Sequence, residues 1–322
     1  MSSIGTPALW AAFAVFVVAA LAVDLLVMNG RGAHRVRFRE AAIWSAAWIA
    51  LALLFNLGLW WWLRARAGVE VADQVALEFL TGYLVEKALA VDNIFVFLML
   101  FTHFAVPVEQ QQRVLVYGVI GAIVLRAIMI LVGAALIARF HWILYIFGAF
   151  LLFTGIKMLW MVEKKPDVEG NPLLAWLRNH LPLTRGYHGD AFRLRIDGRW
   201  QYTPLFLVMV MIGVTDLIFA VDSIPAIFAI TLDPFIVLTS NVFAVLGLRA
   251  LYFMLAGMAD RFHLLGYGLA LVLVFIGIKM LLLEVYKIPV GVALLGVAVL
   301  IAGSIVLSVL RPPRQPPGPG PS

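Results

Sequence analysis

Two short polar stretches interrupt long apolar runs in this chain: Glu86-Lys-Ala-Leu-Ala-Val-Asp92-Asn93 and Asp216-Leu-Ile-Phe-Ala-Val-Asp222-Ser223. Each sets an acid six residues before the aspartate of an Ala-Val-Asp triplet, then adds a small polar residue. A carboxylate in hydrocarbon costs several kcal/mol, so two matched motifs at membrane depth point to a cation path. Carboxylate, amide, hydroxyl and backbone oxygens form a hard ligand set, which suits Mn²⁺, Mg²⁺ or Ca²⁺. Cu(I) would ask for thiolates or thioethers, and the chain has no cysteine. Oxygen ligands alone do not separate Mn²⁺ from Mg²⁺.

Helical geometry constrains how these groups cooperate. Glu86 and Asn93, seven apart, share a helix face, as do Asp216 and Ser223. Asp92 and Asp222 point about 120° away from the first acid of their motif on an ideal helix. Both acids of one motif therefore reach one ion only where the backbone departs from that ideal. Pro225 supplies a cause in the second motif, because it removes an amide donor and frees the carbonyl of Val221. Freed carbonyls in broken membrane helices are themselves cation ligands.

The composition requires a bilayer around these motifs. Of 322 residues, 63% are hydrophobic and only 13% are charged, about half the charged share of a soluble domain. Nine apolar stretches are long enough to cross, at 7–28, 41–63, 75–101, 113–137, 141–161, 203–231, 236–258, 263–283 and 288–310. The first lacks a basic leader and a cleavage signal and reads as a retained helix. The net charge of +6 lies mostly in loops, where it sets orientation rather than marking a nucleic-acid partner. Fifteen Lys and Arg collect on one side against four on the other, which places the N-terminus outside and the C-terminus in the cytoplasm.

Inside the spans the reading sets five cations, Lys87, Arg126, Lys157, Arg249 and Lys279, against five acids, Asp24, Glu86, Asp92, Asp216 and Asp222. Arg126 and Arg249 fall mid-span and are the expected internal partners of the acids. Lys157 and Lys279 lie near span ends, where long side chains snorkel to the interface. Asp24 is expected to reach the headgroups, and the six histidines read as interfacial. A competing account has the acids pairing with these cations only to hold helices together. Intramembrane ionisable groups mark transport paths more often, so the path reading is preferred.

The chain is also partly self-similar. Arg139-Phe-His-Trp-Ile-Leu-Tyr145 matches Arg261-Phe-His-Leu-Leu-Gly-Tyr267, and Gly155-Ile-Lys157-Met matches Gly277-Ile-Lys279-Met, both 122 residues apart. Leu125-Arg126-Ala127 recurs as Leu248-Arg249-Ala250 at 123, and the acidic motifs recur at 130. Each copy, 75–161 and 203–283, holds three predicted spans, so an odd count inserts the second copy in the opposite sense. Inverted halves place ion sites near the midplane between them. Residues 1–74 form two peripheral spans and 284–311 a final one. The connection 162–202 is polar, with Leu173-Leu-Ala-Trp176-Leu177 as a short interfacial helix. The Pro-rich tail 312–322 is expected to be disordered.

Signatures of common enzyme chemistry are missing: no phosphate-binding Gly-Lys-Ser loop, no His-Glu-x-x-His, no dinucleotide fingerprint. The chain reads as a non-enzyme. Gly82-Tyr-Leu-Val-Glu86-Lys-Ala-Leu-Ala-Val-Asp92-Asn93, the stretch from Asp216 through Ser223 and Pro225 to Thr231, and Asp233-Pro-Phe-Ile-Val-Leu-Thr-Ser240-Asn241 resemble the signatures of the TerC family of integral membrane proteins, Alx-like branch. The resemblance covers nearly the whole chain. It implies an all-helical fold with inverted three-helix halves, manganese efflux, and tellurite resistance in the founding members. It implies metal handling by Glu86, Asp92, Asn93, Asp216 and Asp222, with Ser223 and Asn241 as weaker candidates. One position departs: three residues before Asp216 the family usually has glutamate, and this chain has Gly213. The resulting expectation is an inner-membrane secondary transporter exporting Mn²⁺. Proton exchange is left open. The alternative is a metal-binding membrane scaffold that assembles stress-response partners through 162–202 without moving ions.

Overall fold

The computed structural model describes residues 3–29, 38–161, 170–184, 186–196, 198–256, 264–283, 285–286 and 288–311. Within them the chain folds into eleven α-helices and one β-hairpin. The helices are α1 (Pro7–Asn29), α2 (Phe38–Ala67), α3 (Val69–His103), α4 (Val108–Arg139), α5 (Ile143–Met161), α6 (Pro172–His180), α7 (Pro204–Phe228), α8 (Pro234–Leu246), α9 (Leu248–Leu255), α10 (Leu265–Leu281) and α11 (Val290–Leu310). The helical, polytopic expectation is met. The disordered tail expected at 312–322 lies outside the described residues.

Six of these helices are long and apolar enough to cross a bilayer, and seven if the bent pair α8–α9 is one span. Two of the nine expected spans fall short for opposite reasons. The 35-residue α3 has the length but carries Glu86, Lys87 and Asp92 within seven residues, and α10 is apolar but only 17 residues long. Outward-facing Leu54, Trp61, Val132, Phe153 and Leu295 are more than half exposed, a surface that lipid covers and water does not.

The central helix is α3, which packs against α2, α7, α8 and α11. The closest helix pair is α5 with α10, and glycine is the reason. A Cβ on Gly155 would stand 2.9 Å from the backbone nitrogen of Val274 and from the carbonyl oxygen of Ala270. A Cβ on Gly277 would stand 2.7 Å from the nitrogen of Leu152 and 3.0 Å from the carbonyl oxygen of Gly148. Contacts pair 155 with 274 and 152 with 277, so the two helices run in opposite directions.

The span read at 236–258 breaks at Gly247, where α8 and α9 meet at a 41° bend. Lys87 explains the break. Its Nζ donates to the Ala244 carbonyl at 3.1 Å, the acceptor that an unbroken helix gives to the amide of Leu248. Glycine leaves room there, since a Cβ at 247 would meet Trp48 Cβ at 3.1 Å and displace the Lys87 Nζ, which would lie 2.9 Å from it.

The polar connection holds more structure than its composition suggested. The expected interfacial helix is α6, capped by Asn171, whose side chain accepts from the Leu173 amide at 2.9 Å. Leu174 and Leu177 face inward and Trp176 faces out. Beyond it, β1 (Arg193–Ile196) pairs antiparallel with β2 (Arg199–Tyr202), closed by Gly198 at φ 78°. This hairpin was not anticipated, although Arg-Leu-Arg-Ile and Arg-Trp-Gln-Tyr each alternate polar with apolar residues on either side of Asp197-Gly198, a hairpin pattern short enough to be passed over in a polar connection.

Candidate cation site

The two motifs meet on one guanidinium. Arg126 of α4 is fully buried and forms an ion pair with Glu86 of α3. Its Nη2 donates to Asp216 Oδ1 at 3.1 Å and its Nε to Asp216 Oδ2 at 3.4 Å, a two-pronged grip on α7. Nη1 donates to Ser223 Oγ at 3.3 Å. Glu86, Asp216 and Ser223 are 0%, 3% and 1% exposed, so the cluster is sealed from solvent. One guanidinium against two carboxylates leaves one negative charge uncompensated within it. Glu86 Oε2 accepts no hydrogen bond.

The pairing follows from spacing. Asp216 and Ser223, seven apart, lie on the face of α7 that meets α4. Asp222 faces the other way, toward Thr154 and the charge of Lys157 on α5. The helix α7 runs unbroken from Pro204 to Phe228 with Pro225 in its last turn. The expected departure from ideal helix between Asp216 and Asp222 is therefore absent here, and the two acids of that motif do not converge. Asp92 lies on α3 and its side chain lies outside the described residues. Asn93 is buried, one face with Glu86.

Asn241 of α8 is completely buried, and neither its Oδ1 nor its Nδ2 has a hydrogen-bond partner. An orphaned buried amide costs about 1–3 kcal/mol. It lies between two close approaches of α8 to α3, at Ser240 beside Gly82 and at Ala244 bound by Lys87. Among the described residues, no three His, Asp or Glu side chains converge to hold a metal.

The remaining cations divide sharply. Lys279 does not snorkel: it is 5% exposed and donates to the Ala229 carbonyl at 3.1 Å, within the field of Glu78. Glu78 is itself buried and accepts from Gln74 at 2.9 Å. Sequence reading missed it, although it falls inside the span 75–101 and eight residues before Glu86. Lys157, the repeat counterpart of Lys279, is exposed.

Asp24 overturns its expected place at the headgroups. It forms an ion pair with Arg249 of α9, and its carbonyl accepts from the same guanidinium at 3.1 Å. Arg249 also borders a small cavity beside Asp216, lined by Phe97, Leu115, Ala122 and Ile212, with Nη1 unpartnered. Asp24→Asn is expected to cost about 3 kcal/mol, because it leaves that guanidinium buried without its carboxylate. Thermal unfolding in detergent checks this, and an unchanged midpoint would show that the pair contributes nothing.

Gly213 sits one turn before Asp216, and a Cβ built there meets nothing within 4 Å. Neither packing nor a left-handed backbone requires glycine at this position.

The chain is similar to known membrane proteins over most of its length. The proposed membrane-bound redox modulator Alx of Escherichia coli (strain K12) is 58% identical over 294 residues, covering 91% of this chain and 92% of that protein. The Alx of Photorhabdus laumondii is 52% identical over 309 residues, covering 96% and 97%. A Myxococcus xanthus membrane protein, STKORF319, is 46% identical over 314 residues, covering 98% and 96%. No solved structure matches the chain. Residues 71–315, which include Glu86, Arg126, Asp216, Asn241 and Arg249, match the integral membrane protein TerC family, and the chain is a multi-pass membrane protein of that family.

Proposed function

We propose that this protein is an inner-membrane secondary transporter that exports divalent manganese. The observation that carries the reading is the meeting of Glu86 and Asp216, one acid from each motif, at a sealed point between α3, α4 and α7. Packing that needs only apolar contact does not gather carboxylates from two distant segments around one buried charge. Glu86 and Asp216 are proposed as ligands or gate acids, Asp92 and Asp222 as central ligands, and Asn93, Ser223 and Asn241 as further oxygen donors. Asn241 gains support from its unpartnered amide.

The proposed frame has nine spans, adding α3, α8–α9 and α10 to the six plain ones, with the N-terminus outside. The charges that disqualify α3 on hydropathy are those of the motif; of them Glu86 is fully buried and Lys87 reaches the Ala244 carbonyl of α8. An inverted repeat is supported by the crossing of α5 and α10, whose contacts exchange with one another under the 122-residue offset. The relatives' name speaks of redox modulation, and this chain has no thiol to do it with. Moving a redox-active metal ion requires none.

Sealed vesicles containing only this protein and loaded with Mn²⁺ test the proposal. Release dependent on the protein is the expected result. Binding without release would favour a metal-binding scaffold, whose partners would meet the exposed Trp176 and Trp200 of the connection.

Gly213→Glu adds a carboxylate one turn from Asp216, in open space. It is expected to tighten Mn²⁺ binding by about tenfold, a change worth about 1.4 kcal/mol. Removing a helix-interior glycine stabilises by at most about 1 kcal/mol on its own. Gly213→Gln and Gly213→Ala separate the effects, because only a charge effect is confined to Glu. Unchanged binding in the Glu variant would show that position 213 does not face the ion.

A further inference from the structure

We infer that Arg126 is a tethered counter-cation, which holds the acids in the absence of metal and must leave them for metal to bind. The inference rests on the export reading and names how its site is regulated. The guanidinium engages Glu86, Asp216 and Ser223 together, the inward-facing polar groups of both motifs at this point. Those oxygens are the ones that a divalent ion would use. Two cations cannot share them, because they repel and both Asp216 oxygens already accept from N–H groups of Arg126. The grip is incomplete: Glu86 Oε2 is left without a hydrogen bond, so an arriving ion has a first ligand before Arg126 moves.

Charge gives the inference a sign. With Arg126 in place the cluster carries one excess negative charge. Without it, two carboxylates face each other in a sealed site, and a divalent ion relieves their repulsion. The repeat counterpart Arg249 does not take over, because Asp24 holds it. An arginine that served only as glue predicts the reverse: its loss would let the helices part and weaken binding.

Calorimetric titration of Mn²⁺ into the full chain in lipid nanodiscs tests this on wild type, Arg126→Gln and Arg126→Lys. Arg126→Gln is expected to bind at least about tenfold tighter than wild type. A folded Arg126→Gln protein that binds no tighter overturns the inference and leaves the export reading standing. Should Arg126→Gln not yield folded protein, Arg126→Lys decides. A single ammonium cannot bridge both carboxylates as a planar fork does, so this variant binds at least about threefold tighter. Equal or weaker binding by it overturns the inference. Absence of Mn²⁺ binding in wild type and both variants would overturn the export reading, and the inference with it.

Discussion

Asp216→Asn and Glu86→Gln are each expected to lower Mn²⁺ export by about 100-fold or more, equivalent to about 2.8 kcal/mol, while the protein stays folded in the membrane. Both replacements keep the shape of the side chain and remove the charge that offsets the lost hydration of a divalent ion. Folding survives because each single variant leaves Arg126 one carboxylate partner, Glu86 or Asp216. The same loss is expected for Asp92→Asn and Asp222→Asn, the acids proposed as central ligands. Efflux from preloaded vesicles, normalised to the amount of protein in the membrane, is the measurement. Wild-type efflux from Asp216→Asn or Glu86→Gln would remove these acids from the path and leave the cluster as a structural feature.

The second large effect concerns stability. Gly155→Leu or Gly277→Leu is expected to destabilise the protein by about 3 kcal/mol or more, at the upper end for overpacked cores. The reason is what the new atoms would strike. At both positions a Cβ falls within 3.0 Å of partner backbone, which cannot swing aside as a side-chain tip can. The helices α5 and α10 must separate along their whole contact. Gly121→Leu and Gly303→Leu serve as controls, since nothing lies within 4 Å of a Cβ at either. The thermal midpoint in detergent should fall in the first pair and hold in the second. If all four behave alike, the crossing is not what fixes these helices.

How much of this was legible depends on the range of the interaction. The seven-residue spacing of Asp216 and Ser223 read correctly as one face, and both bind Arg126. The 120° displacement of Asp222 was read too, and the structure keeps it, turning that acid toward α5. What failed was the assumption that Pro225 would undo the displacement. A proline in the last turn of α7 frees a carbonyl without unwinding the turns before it. Asp24 was misplaced for a different reason. Its depth in α1 fits the headgroups as well as it fits the interior, and its partner Arg249 is 225 residues away. The bend at Gly247 was unreadable likewise, because its cause, Lys87, is 157 residues from Ala244 in sequence. Periodicity reports which face a residue occupies, and it is silent about what a distant helix brings to that face.

The α5–α10 crossing has a consequence for origin. Position 155 on one helix meets 274 on the other, and 277 meets 152, the same two repeat positions with their roles exchanged. A contact of that form is self-complementary, as in a two-fold dimer where each surface is its own mate. A single ancestral segment carrying such a glycine would recognise an upside-down copy of itself with no second gene to supply the other side. The two arginines of the self-similar stretches keep different company, Arg126 with the acids of the motifs and Arg249 with the aspartate of α1.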